Sequence, residues 1–323
     1  MRKFLLGASA LVGVALLANS AAEAATYIPI ALPAGAVTVL PFGINDNNIV
    51  AGGYTDSGGL LHGFYGPPDG SNYTTFDVSF GQAEARGIRN DGSITGLALA
   101  SGFTFGEEYY RSPTGAVKPL KNAAGDLMDG VAQGGNDSGV YVGDYLDTDG
   151  ATRLGFKGKS GKFKSNFKLP IKNLPSTNPR QINNNNVVAG GYIDSTGIQH
   201  GFVLDGKNFT SFDYPGSVGV TTAEGINDNG QVSGLYTDSS GNRHAFEYIV
   251  STGKFKSIDP GDGSFAQEAW GINNKGLIVL DTNSGAIPYI YCPLKKAKCP
   301  KGAAVAEVHP ARVPALKRPV ALP

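Results

Sequence analysis

The chain has little charge, little sulfur and only one long apolar run. Charged residues make up 17% of its 323 positions, and Lys+Arg and Asp+Glu are equal at 27 each. A chain with no net charge has no global electrostatic pull toward nucleic acid or an acidic membrane surface, so no nucleic-acid partner is expected. There are four histidines and two cysteines, and they do not cluster at ligand spacing. No metal or other cofactor is therefore expected. No G-x-S-x-G segment provides a nucleophile elbow, and no glycine-rich turn precedes a helical pattern as phosphate-binding loops require. The single apolar run, Phe4 to Ala18, follows Arg2 and Lys3 and leads to Ala22-Glu23-Ala24. That order is a secretory signal peptide over residues 1–24. No second apolar stretch of about 20 residues follows, so no transmembrane segment is expected. The mature chain should be soluble and exported, to the periplasm or beyond the cell. In an oxidising compartment Cys292 and Cys299 of "CPLKKAKCP" are expected to form a disulfide, worth about 2–3 kcal/mol for so short a loop. Residues 301–323, rich in Ala, Pro and basic side chains without periodicity, read as a disordered tail.

Glycine, by contrast, is abundant at 46 residues, and aromatics reach 10%. This is the composition of an all-β chain rich in turns. One phrase recurs: "GINDNNIVAGGYTDSGGLLHGF" from Gly43, "QINNNNVVAGGYIDSTGIQHGF" from Gln181 and "GINDNGQVSGLYTDSSGNRHAF" from Gly225. Its marker isoleucine falls at Ile44, Ile88, Ile182, Ile226 and Ile272, with Gly135 in a degenerate copy, at steps of 44, 47, 47, 44 and 46 residues. Such a period suits a four-stranded propeller blade. Strand A ends in "GIN", an Asn/Asp/Gly turn follows, and strand B alternates as in "QVSGLY". Strand C begins near the histidine, and strand D reads "KFKSIDP" or "NFTSFDYP". Strand B carries Gly52, Gly96, Gly143, Gly190 and Gly234, with Leu280 in the sixth unit; the expected reason is close approach of neighbouring blades. Tyr54, Tyr145, Tyr192 and Tyr236 stand two residues on and should fill space where blades splay. Six strands each of types A, B and C follow residue 39, but only five of type D. The missing one is in "ATYIPIALPAG", just after the leader. The expected fold is a six-bladed β-propeller over residues 25–300, closed by the N-terminal strand, which completes the last blade.

These residues, "GINDNGQVSGLY…HAF…IDPG", resemble the HAF-repeat family of probable extracellular repeat proteins. The resemblance covers nearly all of residues 26–293. Units two and three depart most, with "GEEYYRS" and "RLGFKG" in place of the histidine segment. It implies an exported, propeller-like repeat protein and carries no defined activity and no catalytic residue.

The recurrent histidines, His62, His200 and His244, occupy one place in three blades and so three distant places around a ring. They are expected to bond turns within their own blades. "DYLDTDG" (144–150) has the oxygens of a calcium loop but is read as an Asp-rich turn. Lys157, Lys159, Lys162, Lys164, Lys168 and Lys172 are read as edge-strand lysines that deter sheet-to-sheet pairing. Strand A varies most. Two residues before the marker stand Phe42, Arg86, Gln133, Arg180, Glu224 and Trp270; four before it stand Leu40, Glu84, Val131, Asn178, Thr222 and Glu268. Alternation predicts that both sets share one strand face. Facing the axis, they would form either a solvated channel with internal ion pairs or a ligand site of charges, amides and aromatics, with Phe42, Glu84, Arg86, Gln133, Arg180, Glu224, Glu268 and Trp270 as its candidate residues.

The leading expectation is a non-catalytic, exported binding protein, monomeric, whose ligand is a carbohydrate or a protein partner. One alternative is a polysaccharide-acting hydrolase or lyase using Glu84, Glu224 and Glu268 as acid and base. Another is a purely structural surface protein.

Overall fold

A computed structural model describes residues 25–302, apart from 123, 151, 160–162, 166, 259–265, 283–286 and 294–297. The expected leader (1–24) and residues 303–323 of the expected tail lie outside the described residues.

The N-terminal strand is β1 (Thr26–Pro29). Blade one follows with β2 (Ala36–Ile44), β3 (Val50–Asp56), β4 (Leu61–Gly66) and β5 (Thr74–Phe76). Blade two has β6 (Gln82–Ile88), β7 (Ile94–Leu99), β8 (Glu107–Arg111) and β9 (Val117–Pro119). Blade three has β10 (Gly130–Gly135), β11 (Tyr141–Leu146), β12 (Arg153–Gly158) and β13 (Lys164–Ser165). Blade four has β14 (Ser176–Ile182), β15 (Val188–Ile193), β16 (Gln199–Asp205) and β17 (Asn208–Phe212). Blade five has β18 (Thr221–Ile226), β19 (Gln231–Thr237), β20 (Arg243–Ile249) and β21 (Lys254–Ile258). Blade six has β22 (Ala266–Ile272), β23 (Ile278–Thr282) and β24 (Tyr289–Cys292), and its fourth strand is β1. Each sheet is antiparallel in chain order. Each strand A touches the next around the ring, and β22 returns to β2. This is the six-bladed propeller the repeat arithmetic predicts. The two ends of the chain meet in one sheet, where Thr26 pairs with Cys292 and Pro29 with Tyr289. The Cys292–Cys299 disulfide fastens this blade, with Cα atoms 6.1 Å apart.

The apolar core is divided among the six gaps between blades. Between blades six and one, for example, Ile28, Ile30, Trp270, Leu277, Val279 and Ile290 meet Val39, Phe42, Val50 and Phe64. Hydrophobic burial thus holds neighbouring sheets face to face. At one end of the ring a polar belt adds to it. The Asn of "GIN" does two jobs. The Oδ1 of Asn227 accepts the backbone N–H groups of Asn229 and Gln231, fixing its own turn. Its Nδ2 donates to the carbonyl of Asn273 in the next blade, at 2.9 Å. Asn45, Asn136, Asn183 and Asn273 repeat this step, at 2.9–3.2 Å. The residue after each belt position alternates Asp46, Asn90, Asp137, Asn184, Asp228, Asn274. Five of these six accept the backbone N–H of their counterpart in the preceding blade. In unit two Arg89 replaces the belt asparagine and pairs with Asp91 at 3.0 Å and Asp137 at 3.9 Å instead.

The strand B glycines are required by contacts inside their own blade, not by a neighbouring blade as sequence reasoning proposes. A Cβ on Gly52, Gly96, Gly143, Gly190 or Gly234 would stand 1.9–2.2 Å from a strand A carbonyl oxygen of the same sheet. Strand C rings such as Phe64 and Phe246 close the other side. The recurrent tyrosines likewise have a definite partner. Tyr54, Tyr192 and Tyr236 are the cross-strand neighbours of His62, His200 and His244 and pack against their imidazoles, with centroids 5.1 Å apart. Each imidazole bonds the Asp of its own B–C turn: Asp56 at 3.4 Å, Asp194 at 3.2 Å and Asp238 at 2.8 Å. His62 and His200 also meet Asp77 and Asp213 at strand D. The histidines are therefore blade fasteners, as expected. In the 144–150 segment, Asp147 and Asp149 accept the N–H groups of Thr148 and Thr152, the work of a turn.

Candidate functional site

The candidate site lies on the ring axis, and strand A builds it by an irregularity. In all six blades the A–B pairing slips by one residue just before the marker: between Pro41 and Gly43, Ala85 and Gly87, Ala132 and Gly134, Pro179 and Gln181, Ala223 and Gly225, and Ala269 and Ile272. A β-bulge leaves one residue out of the ladder and re-aims its side chain. The bulged residues are Phe42, Arg86, Gln133, Arg180, Glu224 and, beside Gly271, Trp270. All six line one cavity on the axis, joined by Gln181 and Gly271.

The bulge overturns the prediction of one shared face. Glu84 lies against Gly53 of the preceding blade, Thr222 against Gly191, and Glu268 reaches Arg243 at 3.6 Å. Of the eight candidate residues, six therefore converge on the cavity. Glu84 and Glu268 stand behind that ring, in the blade-to-blade seams.

Aromatic and charged groups interlock around the cavity. Phe42 and Trp270 meet edge to face, with centroids 4.8 Å apart. The Arg86 guanidinium lies over the Phe42 ring at 4.0 Å, a cation–π contact. It also donates twice to Glu84 Oε2, at 3.0 and 2.8 Å. Arg180 Nε approaches Glu224 Oε2 at 3.4 Å without the alignment of a hydrogen bond. Burial pushes the Glu224 carboxyl up to about 7; Arg180 opposes this and the negative charge of Glu268 adds to it. Each of the three glutamates thus has an arginine beside it: Arg86, Arg180 and Arg243.

The cavity is small, offering about 10 Å³ to the centre of a water molecule. One water needs about that much, and a sugar ring needs far more. On the axis beyond Gln181 the belt rims a wider, open polar cavity of about 60 Å³, lined by Asn45, Asp46, Asn136, Asn183, Asp228 and their counterparts. Gln181 lines both cavities. Sequence reasoning does not reach Gln181, although a signal exists. Its counterparts are Gly43, Gly87, Gly134, Gly225 and Gly271, so unit four alone puts a side chain there.

The two ends of the ring differ. Each strand A begins where strand B ends, as Ala36 opposite Asp56 and Gln82 opposite Leu99 show. Among the described residues the exposed large hydrophobic side chains are Val37, Leu60, Leu99, Leu127, Ile198 and Val218. All six belong to this end, on B–C turns, D–A connections or the strand tips that adjoin them. Val37, Leu60 and Leu99 come from blades one and two; Ile198 and Val218 come from the B–C turn of blade four and the connection to blade five. The opposite end carries the Asn/Asp belt and its polar cavity. Among the described residues no helix is long and apolar enough to cross a membrane. The disulfide fits an exported protein.

No family model and no curated protein matches the chain. Solved structures do. A triple Arg-to-Ala variant of AofleA from Arthrobotrys oligospora is 12% identical, over 86% of this chain and 88% of that one, with a TM-score of 0.50. The β-propeller domain of the Trilobed protease from Pyrococcus furiosus is 11% identical over 78% and 82%, with a TM-score of 0.45. The Aleuria aurantia lectin, in complex with Fucα1-6GlcNAc, is 11% identical over 69% and 79%, with a TM-score of 0.43. At such identities the likeness is one of fold.

Proposed function

We propose that this chain is an exported, non-catalytic binding protein whose ligand lies across the end of the ring where the A strands begin. The observation that carries this reading is that, among the described residues, the six exposed large hydrophobic side chains all gather at that end. Apolar surface collected on one face of a water-soluble ring is the usual mark of an interaction site. The axial cavity is too small for a sugar ring, so the ligand is a protein segment or an extended glycan laid over the face. The resemblance to HAF-repeat proteins, taken as exported repeat proteins, is in keeping with this role, as are propeller neighbours that bind fucosylated sugar or, in the nidogen/laminin complex, protein.

The hydrolase reading has less support. Glycoside hydrolysis needs two carboxyl groups free to act about 5–10 Å apart. Here Glu84, Glu224 and Glu268 are each matched to an arginine, and the space between the bulged side chains suits one water.

The test is a glycan array and a pull-down from exported proteins, run with wild type and with Leu60→Asp and Val218→Asp. Both substitutions are at exposed turn positions, so folding should survive them. Capture of a defined ligand, lost at least tenfold in either variant, is expected. Capture unchanged in both variants would move the site elsewhere.

A further inference from the structure

Four side-chain atoms of residues that line the axial cavity have no hydrogen-bond partner in the protein: Trp270 Nε1, Arg180 Nε, Glu224 Oε1 and Gln181 Oε1, the last lying against Gly134. Trp270 is 7% exposed and Glu224 6%. Buried polar atoms in folded proteins are almost always satisfied, by protein or by ordered water. The four divide evenly by chemistry. Indole Nε1–H and guanidinium Nε–H are donors; the carboxyl and amide oxygens are acceptors. One water molecule accepts two hydrogen bonds and donates two, so its full complement equals this set. The volume agrees, since about 10 Å³ of centre-accessible space holds one water.

We propose that the axial cavity is a binding site for a single water molecule, which accepts from Trp270 and Arg180 and donates to Glu224 and Gln181. The water then joins Trp270 of blade six to the Arg180–Glu224 ion pair of blades four and five. It also gives three of the bulge residues, Arg180, Glu224 and Trp270, a common partner. Six unlike side chains need not fit each other perfectly if a small amphiprotic group completes them. Gln181 lines both this site and the belt cavity. The inference is independent of the proposed recognition role, but it limits that role: only a hydroxyl-sized group of any ligand has a place on the axis itself.

Trp270 is the only tryptophan of the chain, so its indole N–H gives one resonance in protein labelled with ¹⁵N-tryptophan. In ligand-free protein, a water-selective rotating-frame experiment should show a cross-peak from this proton to a bound water, with the sign of proximity and not of exchange. A crystal structure at better than about 1.5 Å should show one density peak within hydrogen-bond distance, about 2.7–3.2 Å, of all four atoms. A second variant guards against a trivial result. Gln181→Gly restores the residue found in the other five blades and should fold; it is expected to open the two cavities into one, with several waters and faster exchange at the indole. The proposal is overturned if wild type shows no water cross-peak and no density. It is equally overturned if the four atoms prove to bond one another, or if Gln181→Gly leaves the water signal unchanged. Because every reading is taken without ligand, failure here leaves the recognition proposal standing, and the reverse also holds.

Discussion

Glu108 is wholly buried, and neither of its carboxylate oxygens has a protein partner. It stands in β8, where the histidine-bearing blades one, four and five place Gly63, Gly201 and Ala245. Across the seam Asp144 is also fully buried and ion-paired with Arg153. Burial holds the Glu108 carboxyl well above the usual range, and the negative charge of Asp144 adds to this while Arg153 opposes it. The sign of the pH dependence follows. A carboxyl with a raised native pKa binds its proton more tightly folded than unfolded, so stability falls as pH rises above the unfolded value of about 4.3. Glu108→Gln removes that proton uptake. The variant should lose less stability than wild type between pH 5 and pH 8, and at pH 8 it should be the more stable by about 1–3 kcal/mol. Urea unfolding at the two pH values checks this; parallel pH dependence in the two proteins would show that Glu108 holds no extra proton. Nothing in the repeat pattern announces this residue except the unit's departure from the histidine segment.

At the scale of elements, the belt of A–B hairpins is complete at five steps and altered at the sixth, where Arg89 stands for asparagine. Its replacements are ion pairs to two surface carboxylates, Asp91 and Asp137, which contribute little. Arg89→Asn supplies an Oδ1 for the backbone of its own turn and an Nδ2 for the carbonyl of Asn136. Stability should rise by about 0.5–1.5 kcal/mol, the net worth of one such bond, read as an upward shift in thermal midpoint. The blade period, the strand order and the N-terminal closure are all legible in the sequence, because each rests on spacing and turn chemistry that every copy repeats. The bulge is not. It is a property of pairing between two strands, and the residue it ejects has no common identity. Its traces lie on either side. Pro41, Ala85, Ala132, Pro179, Ala223 and Ala269 come just before the bulged residue and, in the first five blades, pair with the strand B glycine, and a glycine usually follows the bulge. Simple alternation skips over these flanks, and so it assigns Glu84 and Glu268 to the axis when they stand in the seams.

For the whole molecule, closure rests on one short strand. β1 places Ile28 and Ile30 in the core between blades six and one, and it covers the edge of β24. Removing residues 26–31 takes away two buried isoleucines, each worth about 2–5 kcal/mol, and leaves an open edge ready to pair with another chain. The shortened protein should unfold at least about 10 °C lower, or elute as larger species from a sizing column; an unchanged midpoint and monomeric elution would count against closure by β1. The same closure sets a timetable. The strand that completes the ring is the first to be made, and its partner Cys292 comes about 270 residues later, on the order of 15–50 s at ordinary rates of synthesis. Until β24 is made, β1 has no partner in its own blade. The ring is finished by the first of its strands to be made, so any factor that engages β1 also governs when the propeller becomes a closed body.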